Sequence, residues 1–204
     1  MEASSFARFF IFPGKVTMRD FFQNKVMTKL SIIKGVSFMP LFIPNLILKD
    51  VTFIDKALLE QYHIKALVLD VDNTLTTHGS QEIKQGILDW LEKMKNENIP
   101  LMIVSNNTHD RIKPFAERLG IDFVAMGCKP MTRGFTIAQK RFGFPKYQIA
   151  VIGDQIYTDI LGGNLKGCFT ILVTPFELEE KLLFKIKRFL EKRHINRYHK
   201  KNQK

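Results

Sequence analysis

The stretch LVLDVDNTL at 67–75 sets two carboxylates, Asp70 and Asp72, two residues apart at the end of a hydrophobic run, with Thr74 beside them. Side chains alternate in direction along a strand, but the chain turns just past its end, so both acids can face one pocket. Carboxylates at the tip of a buried strand are costly unless a cation or hydrogen bonds meet them, and a hard divalent ion with oxygen ligands is such a cation. Alone, the same residues could form an Asx turn.

Three later features repeat the pattern. PLMIV ends in Ser105, followed by Asn106 and Asn107; a hydroxyl here can bond a phosphate oxygen, although SNN is also an ordinary loop start. Lys129 stands between DFVAMGC and Pro130, where a fixed ammonium can neutralise phosphate, although a lone lysine is usually a solvated charge. In VIGDQIYTD, Asp154 closes a fourth run, Gly153 allows close backbone approach, and Asp159 follows five residues on. Asp154 is read as a second metal carboxylate, with Asp159 supporting the ion through water or a hydrogen bond to a ligand.

The elements that must position these groups are legible in the apolar pattern. KALVLD (65–70), PLMIVS (100–105), DFVAM (122–126), QIAVIGD (148–154) and CFTILV (168–173) are short and continuously apolar, as strands covered on both faces of a parallel sheet should be. Between them, Ile83, Ile87, Leu88, Leu91 and Met94 keep a helical period, predicting a helix over about 81–97. Ile112, Phe115, Ala116 and Leu119 predict a second helix, with Gly120 as its C-cap. This alternation predicts a doubly wound three-layer α/β fold, whose ligands bind at the carboxyl ends of the strands. The candidate residues all fall there.

The 204 residues suit one globular domain with appended elements. Cys128 and Cys168 show neither metal spacing nor a pairing pattern and read as reduced thiols of a cytosolic protein. The net charge of +11 sits on the ends: +4 over residues 1–50, +6 over 177–204, and +1 between. Such ends suit an anionic surface of lipid headgroups or nucleic acid, or simply keep the protein in solution. The apolar stretch at 32–48 is cut by Lys34, Gly35, Pro40 and Pro44, so it falls short of the roughly 20 uninterrupted residues a membrane span needs. The patch FFIF at 9–12 makes a poor signal peptide. Segment 177–194 predicts an amphipathic helix, with apolar residues at 178, 182, 183, 186, 189 and 190 that pack on the sheet or lie on a membrane; the tail 195–204 should fray.

The order D-x-D-x-T, Ser, Lys, G-D-x₄-D, each at a strand end, resembles the haloacid dehalogenase-like (HAD) phosphatases over roughly 65–175. That resemblance implies a Rossmann-like HAD fold around a central parallel sheet. It implies Asp70 as the nucleophile that takes the phosphoryl group, and Asp72 as the acid and then the base. Thr74, Ser105, Asn106 and Lys129 would contact phosphate. Mg²⁺ would be bound by Asp70, the backbone carbonyl of Asp72 and Asp154, with Asp159 assisting. The 35 residues from Asp70 to Ser105 and the 24 from Ser105 to Lys129 leave no room for a cap domain, so the site should be open.

Residues 39–75, the SNN and KP pairs and GDQIYTDILGGN (153–164) are similar to the YqeG-like proteins of subfamily IIIA, whose yeast mitochondrial relatives dephosphorylate phosphatidylglycerophosphate. The resemblance implies a lipid phosphomonoesterase at the inner face of the cell membrane, drawn to anionic lipid by its basic ends, with PLFIPNLIL dipping into the interface. Residues 39–176 would be the capless phosphatase domain and 177–204 a basic helix and tail. Residues 1–38 would be a membrane-contacting extension, or precede a true start at Met39. The rival readings are a HAD phosphatase of nucleic-acid ends or phosphoproteins, and a basic RNA-binding module without chemistry; the latter is disfavoured by four motifs at four strand ends. Oligomeric state is not legible.

Overall fold

The computed structural model describes residues 39–77, 79–177 and 182–202; the extension at 1–38 lies outside them. Six strands form one wholly parallel sheet: β1 (Leu46–Leu48), β2 (Ala66–Leu69), β3 (Leu101–Val104), β4 (Asp122–Val124), β5 (Ile149–Gly153) and β6 (Phe169–Val173). Their order is β1-β6-β5-β2-β3-β4, so the direction of winding reverses between β2 and β5. A crevice at the carboxyl ends of these two strands is where such sheets bind ligands.

The four central strands, β2, β3, β5 and β6, are buried on both faces because alternate residues serve different layers. Leu67, Leu69, Ile103, Ala150, Ile152, Ile171 and Val173 join one core with α1 (Lys56–Gln61), α2 (Gln85–Asn96) and α3 (His109–Leu119). Ala66, Val68, Met102, Val104, Ile149 and Val151 join a second with α4 (Arg133–Phe142). The helical repeats account for the first layer: Ile87, Trp90, Leu91 and Met94 line α2, and Ile112, Phe115, Ala116 and Leu119 line α3. Gly120 closes α3 with φ 58°, as a left-handed cap requires.

Two differences from the sequence reading have physical causes. Leu46–Leu48, within the segment expected to dip into a membrane interface, forms an edge strand registered on Ile171–Val173, and Asn45 seals it by exchanging hydrogen bonds with Thr170. The helix expected from about 81 starts at Gln85; before it, the carbonyls of Gly79 and Gln81 accept from the Arg111 and Arg118 guanidinium groups rather than from a helical turn. A short helix, α5 (Leu161–Lys166), packs on β6, and its Gly162 and Gly163 let it approach Pro130, Phe135 and Thr170.

The C-terminal helix, α6, spans Leu182–Asn202, so most of the tail expected to fray is helical. Phe189 and Leu190 of the predicted apolar stripe are 72% and 47% exposed, whereas Glu191 is buried and accepts from the Ile156 N–H at 2.9 Å. Ile195 packs on Ile156, Ile160 and Leu172. No helix among the described residues is long and apolar enough to cross a membrane.

A Cβ at Gly162 would lie 2.6 Å from a Phe135 ring carbon and 3.0 Å from the Pro130 carbonyl, whereas at Gly86 it would meet nothing within 4 Å. Gly162→Ala is therefore expected to cost about 1–3 kcal/mol through overpacking, and Gly86→Ala to be neutral or to gain up to about 1 kcal/mol. Urea denaturation of the two variants checks the contrast.

Candidate active site

Asp70 directly follows β2, and its N–H still bonds the Ile152 carbonyl at 2.9 Å, so the chain leaves the sheet only after it. Asn73 then takes φ 58°, and the Val71 carbonyl collects the N–H groups of Thr74, Leu75 and Thr76. Asparagine tolerates that left-handed conformation better than most residues. Ser105 directly follows β3 and Asp154 directly follows β5. Asp159 arrives from a single π-helical turn, Ile156–Ile160. Such turns are frequent at functional sites.

Gly153 makes that arrival fit. A Cβ there would fall 2.6 Å from the Asp159 Cβ, so only glycine lets the carboxylate lie against the end of β5. The Gln155 N–H and the Thr158 hydroxyl both donate to Asp159 Oδ2 at 3.2 Å, leaving Oδ1 to face inward.

Carboxylate oxygens of Asp70, Asp154 and Asp159 lie within 4.8 Å of one another, all three residues buried. Into this cluster comes Lys129, only 4% exposed, with Nζ 2.5 Å from Asp70 Oδ1 and 2.6 Å from Asp159 Oδ1. Its backbone is clamped by Asn106, whose Oδ1 accepts from the Lys129 N–H at 2.6 Å and whose Nδ2 donates to the Lys129 carbonyl at 3.0 Å. Asn106, expected to contact phosphate, thus spends its amide on the lysine. Asp159, expected as a supporting group, stands inside the cluster.

The Asp72 carboxylate is not among the three. Arg111 Nη2 donates to its Oδ1 at 2.6 Å, Gly79 N–H donates to the same oxygen at 3.0 Å, and the Asn107 side-chain amide donates to Oδ2. Ser105 is buried, its hydroxyl oxygen accepting from the Asn107 N–H at 3.2 Å. Thr74 is fully buried, and its hydroxyl has no hydrogen-bond partner among the described residues. Arg111 was missed in the sequence. Its signal is a cation in the first turn of a helix, where the macrodipole disfavours it unless an anion is near.

Three carboxylates against one ammonium leave a formal charge of −2 in a buried space, which a divalent cation would balance and oxygen ligands suit. Without one, burial pushes the Asp70 pKa up to about 7; Lys129 opposes that rise, while Asp159 and Asp72 add to it. Burial also works against the Lys129 ammonium, but Asp159 and Asp70 outweigh it and hold its pKa above the ordinary lysine range.

A parallel sheet reversing at a carboxylate-tipped central strand, with serine, lysine and paired aspartates on the neighbouring strand ends, is the framework of a haloacid dehalogenase-like hydrolase. The family model of that description matches residues 77–165, and one described as mitochondrial PGP phosphatase matches 26–117. Within this class the chain belongs to the YqeG-like phosphatases. It is 36% identical over 152 residues to the Probable phosphatase YqeG of Bacillus subtilis, covering 74% of this chain and 88% of that one. It is 27% identical over 159 residues to the Phosphatidylglycerophosphate phosphatase 1 of Arabidopsis thaliana, covering 74% of this chain but 45% of that protein. With the Phosphatidylglycerophosphatase GEP4 of Saccharomyces cerevisiae it shares 29% identity over 124 residues, 54% of this chain and 66% of the relative. The chain therefore spans only part of the length of these two.

Because the folded-state pKa of Asp70 is raised above its usual 3.8, the stability it contributes is full below about pH 4 and is lost as pH rises toward 7. In EDTA, Asp70→Asn should therefore gain on the wild type as pH rises from 4.5 to 7.5, by of the order of 2–4 kcal/mol. Urea melts at both pH values measure it.

Proposed function

We propose that this chain is a divalent-ion-dependent phosphomonoesterase that carries the phosphoryl group on Asp70, with phosphatidylglycerophosphate as its substrate and an anionic membrane as its working surface. The observation that carries the chemistry is the buried group of Asp70, Asp154 and Asp159 with the Lys129 ammonium set between two of them.

Each residue's role follows from its contacts. The Asp70 carboxylate attacks phosphorus directly and needs no base to activate it. Two of the three N–H donors of Lys129 serve Asp70 and Asp159, which leaves the third for a phosphoryl oxygen. The Ser105 oxygen accepts from Asn107, so its own proton is left to donate to phosphate. Thr74 is assigned to the phosphate by its place in the D-x-D-x-T order, its buried hydroxyl having no hydrogen-bond partner among the described residues. Mg²⁺, held by Asp70, Asp154 and Asp159 with the backbone carbonyl of Asp72, would offset the repulsion between carboxylate and phosphate dianion when bound. Asp72 protonates the leaving oxygen, then takes a proton from the water that cleaves the phosphoryl-aspartate.

The substrate half rests on the two relatives whose names contain phosphatidylglycerophosphate and on the open end of the sheet. Among the described residues α2 is the only helix between β2 and β3, and α3 the only helix between β3 and β4, so neither connection carries an inserted cap domain there. The membrane half rests on α6, which has eight Lys/Arg and one acid, and turns Phe189 and Leu190 outward. Each cation near an anionic bilayer contributes about 1 kcal/mol of attraction. The free thiols of Cys128 and Cys168 suit the reducing, cytoplasmic side. On this reading residues 39–176 are the phosphatase domain and 177–204 its surface-docking appendage.

Phosphate release from phosphatidylglycerophosphate in mixed micelles should be abolished by EDTA, restored by Mg²⁺, and reduced at least about a thousandfold in Asp70→Asn. Release from phosphorylated DNA ends or phosphopeptides, with none from the lipid, would overturn the substrate. Phe189→Ser/Leu190→Ser should lower cosedimentation with phosphatidylglycerol-containing vesicles about tenfold or more, while leaving release from p-nitrophenyl phosphate unchanged.

A further inference from the structure

We propose that Arg111 binds a second anionic group of the substrate, a phosphodiester on the leaving-group side of the reacting ester, and so tells phosphatidylglycerophosphate from simpler phosphomonoesters. This rests on the substrate reading given above and adds a specificity-determining residue outside the four strand-end motifs.

The guanidinium is held in one plane by two acceptors on different residues. Its Nη2 donates to Asp72 Oδ1 at 2.6 Å and its Nη1 to the Gly79 carbonyl at 3.0 Å. The residue itself is fixed by its place in the first turn of α3 and by its carbonyl, which accepts from Gln81 Nε2 at 3.3 Å. Those two side-chain bonds use two of the five N–H donors that a guanidinium carries. The Nε–H and one N–H on each terminal nitrogen are left for a ligand. A planar fork of this kind matches the oxygens of a phosphate group, which a lysine ammonium does only as a point charge. Because it is already immobilised, little further freedom is lost when an anion binds it.

Its neighbour gives the direction. Lys129 and Ser105 are assigned to oxygens of the transferred group and Asp72 to the leaving oxygen, so a cation bonded to Asp72 stands on the leaving-group side. The Arg111 side chain is 25% exposed, against 12% for Asp72 and 4% for Lys129, so it is the cation that an incoming leaving group meets nearer the solvent. Among the described residues the connections that carry α2 and α3 hold no inserted domain, and recognition of the leaving group falls to the loops around the strand ends themselves. In phosphatidylglycerophosphate the reacting ester and a phosphodiester occupy the two ends of one glycerol. The diester therefore follows closely behind the leaving oxygen, within reach of a guanidinium bonded to Asp72. Phosphatidate, another lipid phosphomonoester, has no group at that place, and neither has glycerol phosphate.

The test uses two water-soluble esters that share the reacting bond: glycerol phosphate, and deacylated phosphatidylglycerophosphate, which adds the phosphodiester. Both release a glycerol hydroxyl, so any slackening of Asp72 in a variant lowers both alike and cancels in their ratio. Wild-type kcat/KM should favour the diester-bearing ester by about 10–100-fold, the size expected of a hydrogen bond to a charged group. Arg111→Met should bring the two close to parity, mainly through KM. Arg111→Lys, which keeps the charge but not the fork, should fall between, and it decides the matter if Arg111→Met does not fold. Parity in the wild type, or the full wild-type preference retained in either variant, would overturn the proposal. Release from the deacylated ester with none from phosphatidylglycerophosphate in mixed micelles would overturn the lipid substrate and leave the Arg111 contact standing. Hydrolysis of the lipid beside parity on the soluble pair would overturn the contact alone, and no release from any of the three would overturn both.

Discussion

An ammonium taken out of water is tolerated only where anions meet it, and Lys129 meets two. Asp70 and Asp159 come from neighbouring central strands, one from the tip of β2 and the other from beyond β5. The lysine between them fixes the spacing of the cluster. Its own place is set by the Asn106 clamp on its backbone and by the bonds Gly127 N–H to Ser105 carbonyl and Met126 N–H to Asn107 carbonyl, which lay its loop along the one after β3. The site is therefore assembled by backbone bonds between loops, with side-chain charges placed by them.

Around this pair, side-chain volume is removed wherever loops must converge. Gly153 makes room for Asp159 at the end of β5, and Gly162 makes room for the Pro130 carbonyl next to Lys129. One lies under a carboxylate and the other behind the ammonium's loop. Packing of the sheet and placement of charge are thus linked through contacts that a single methyl group would disturb.

The sheet was legible because strands buried on both faces read as unbroken apolar runs, and each run ended where a candidate group began: Leu69 before Asp70, Val104 before Ser105, Gly153 before Asp154. Leu46–Leu48 escaped this reading, since a three-residue edge strand between Pro44 and Lys49 has too few residues to show a period. The partners of Asp72 escaped it as well. Arg111 and Asn107 lie 39 and 35 residues from it, and spacing along the chain carries no trace of a contact made only when β2 and β3 lie side by side. The division of labour between Asn106 and Asn107 was equally hidden, because adjacent identical residues differ only in the direction the folded loop gives them. In α6, the hydropathy pattern pointed to Phe189 and Leu190, whereas one backbone N–H in need of an acceptor drew Glu191 inward instead.

That exchange of faces ties the outermost helix to the innermost chemistry. Glu191 accepts the N–H that opens the turn Ile156–Ile160, and the same turn delivers Asp159 to Lys129. A chain cut short before residue 191 would leave this amide without its acceptor in a buried place, so damage at the periphery would be felt as a slackened carboxylate at the centre.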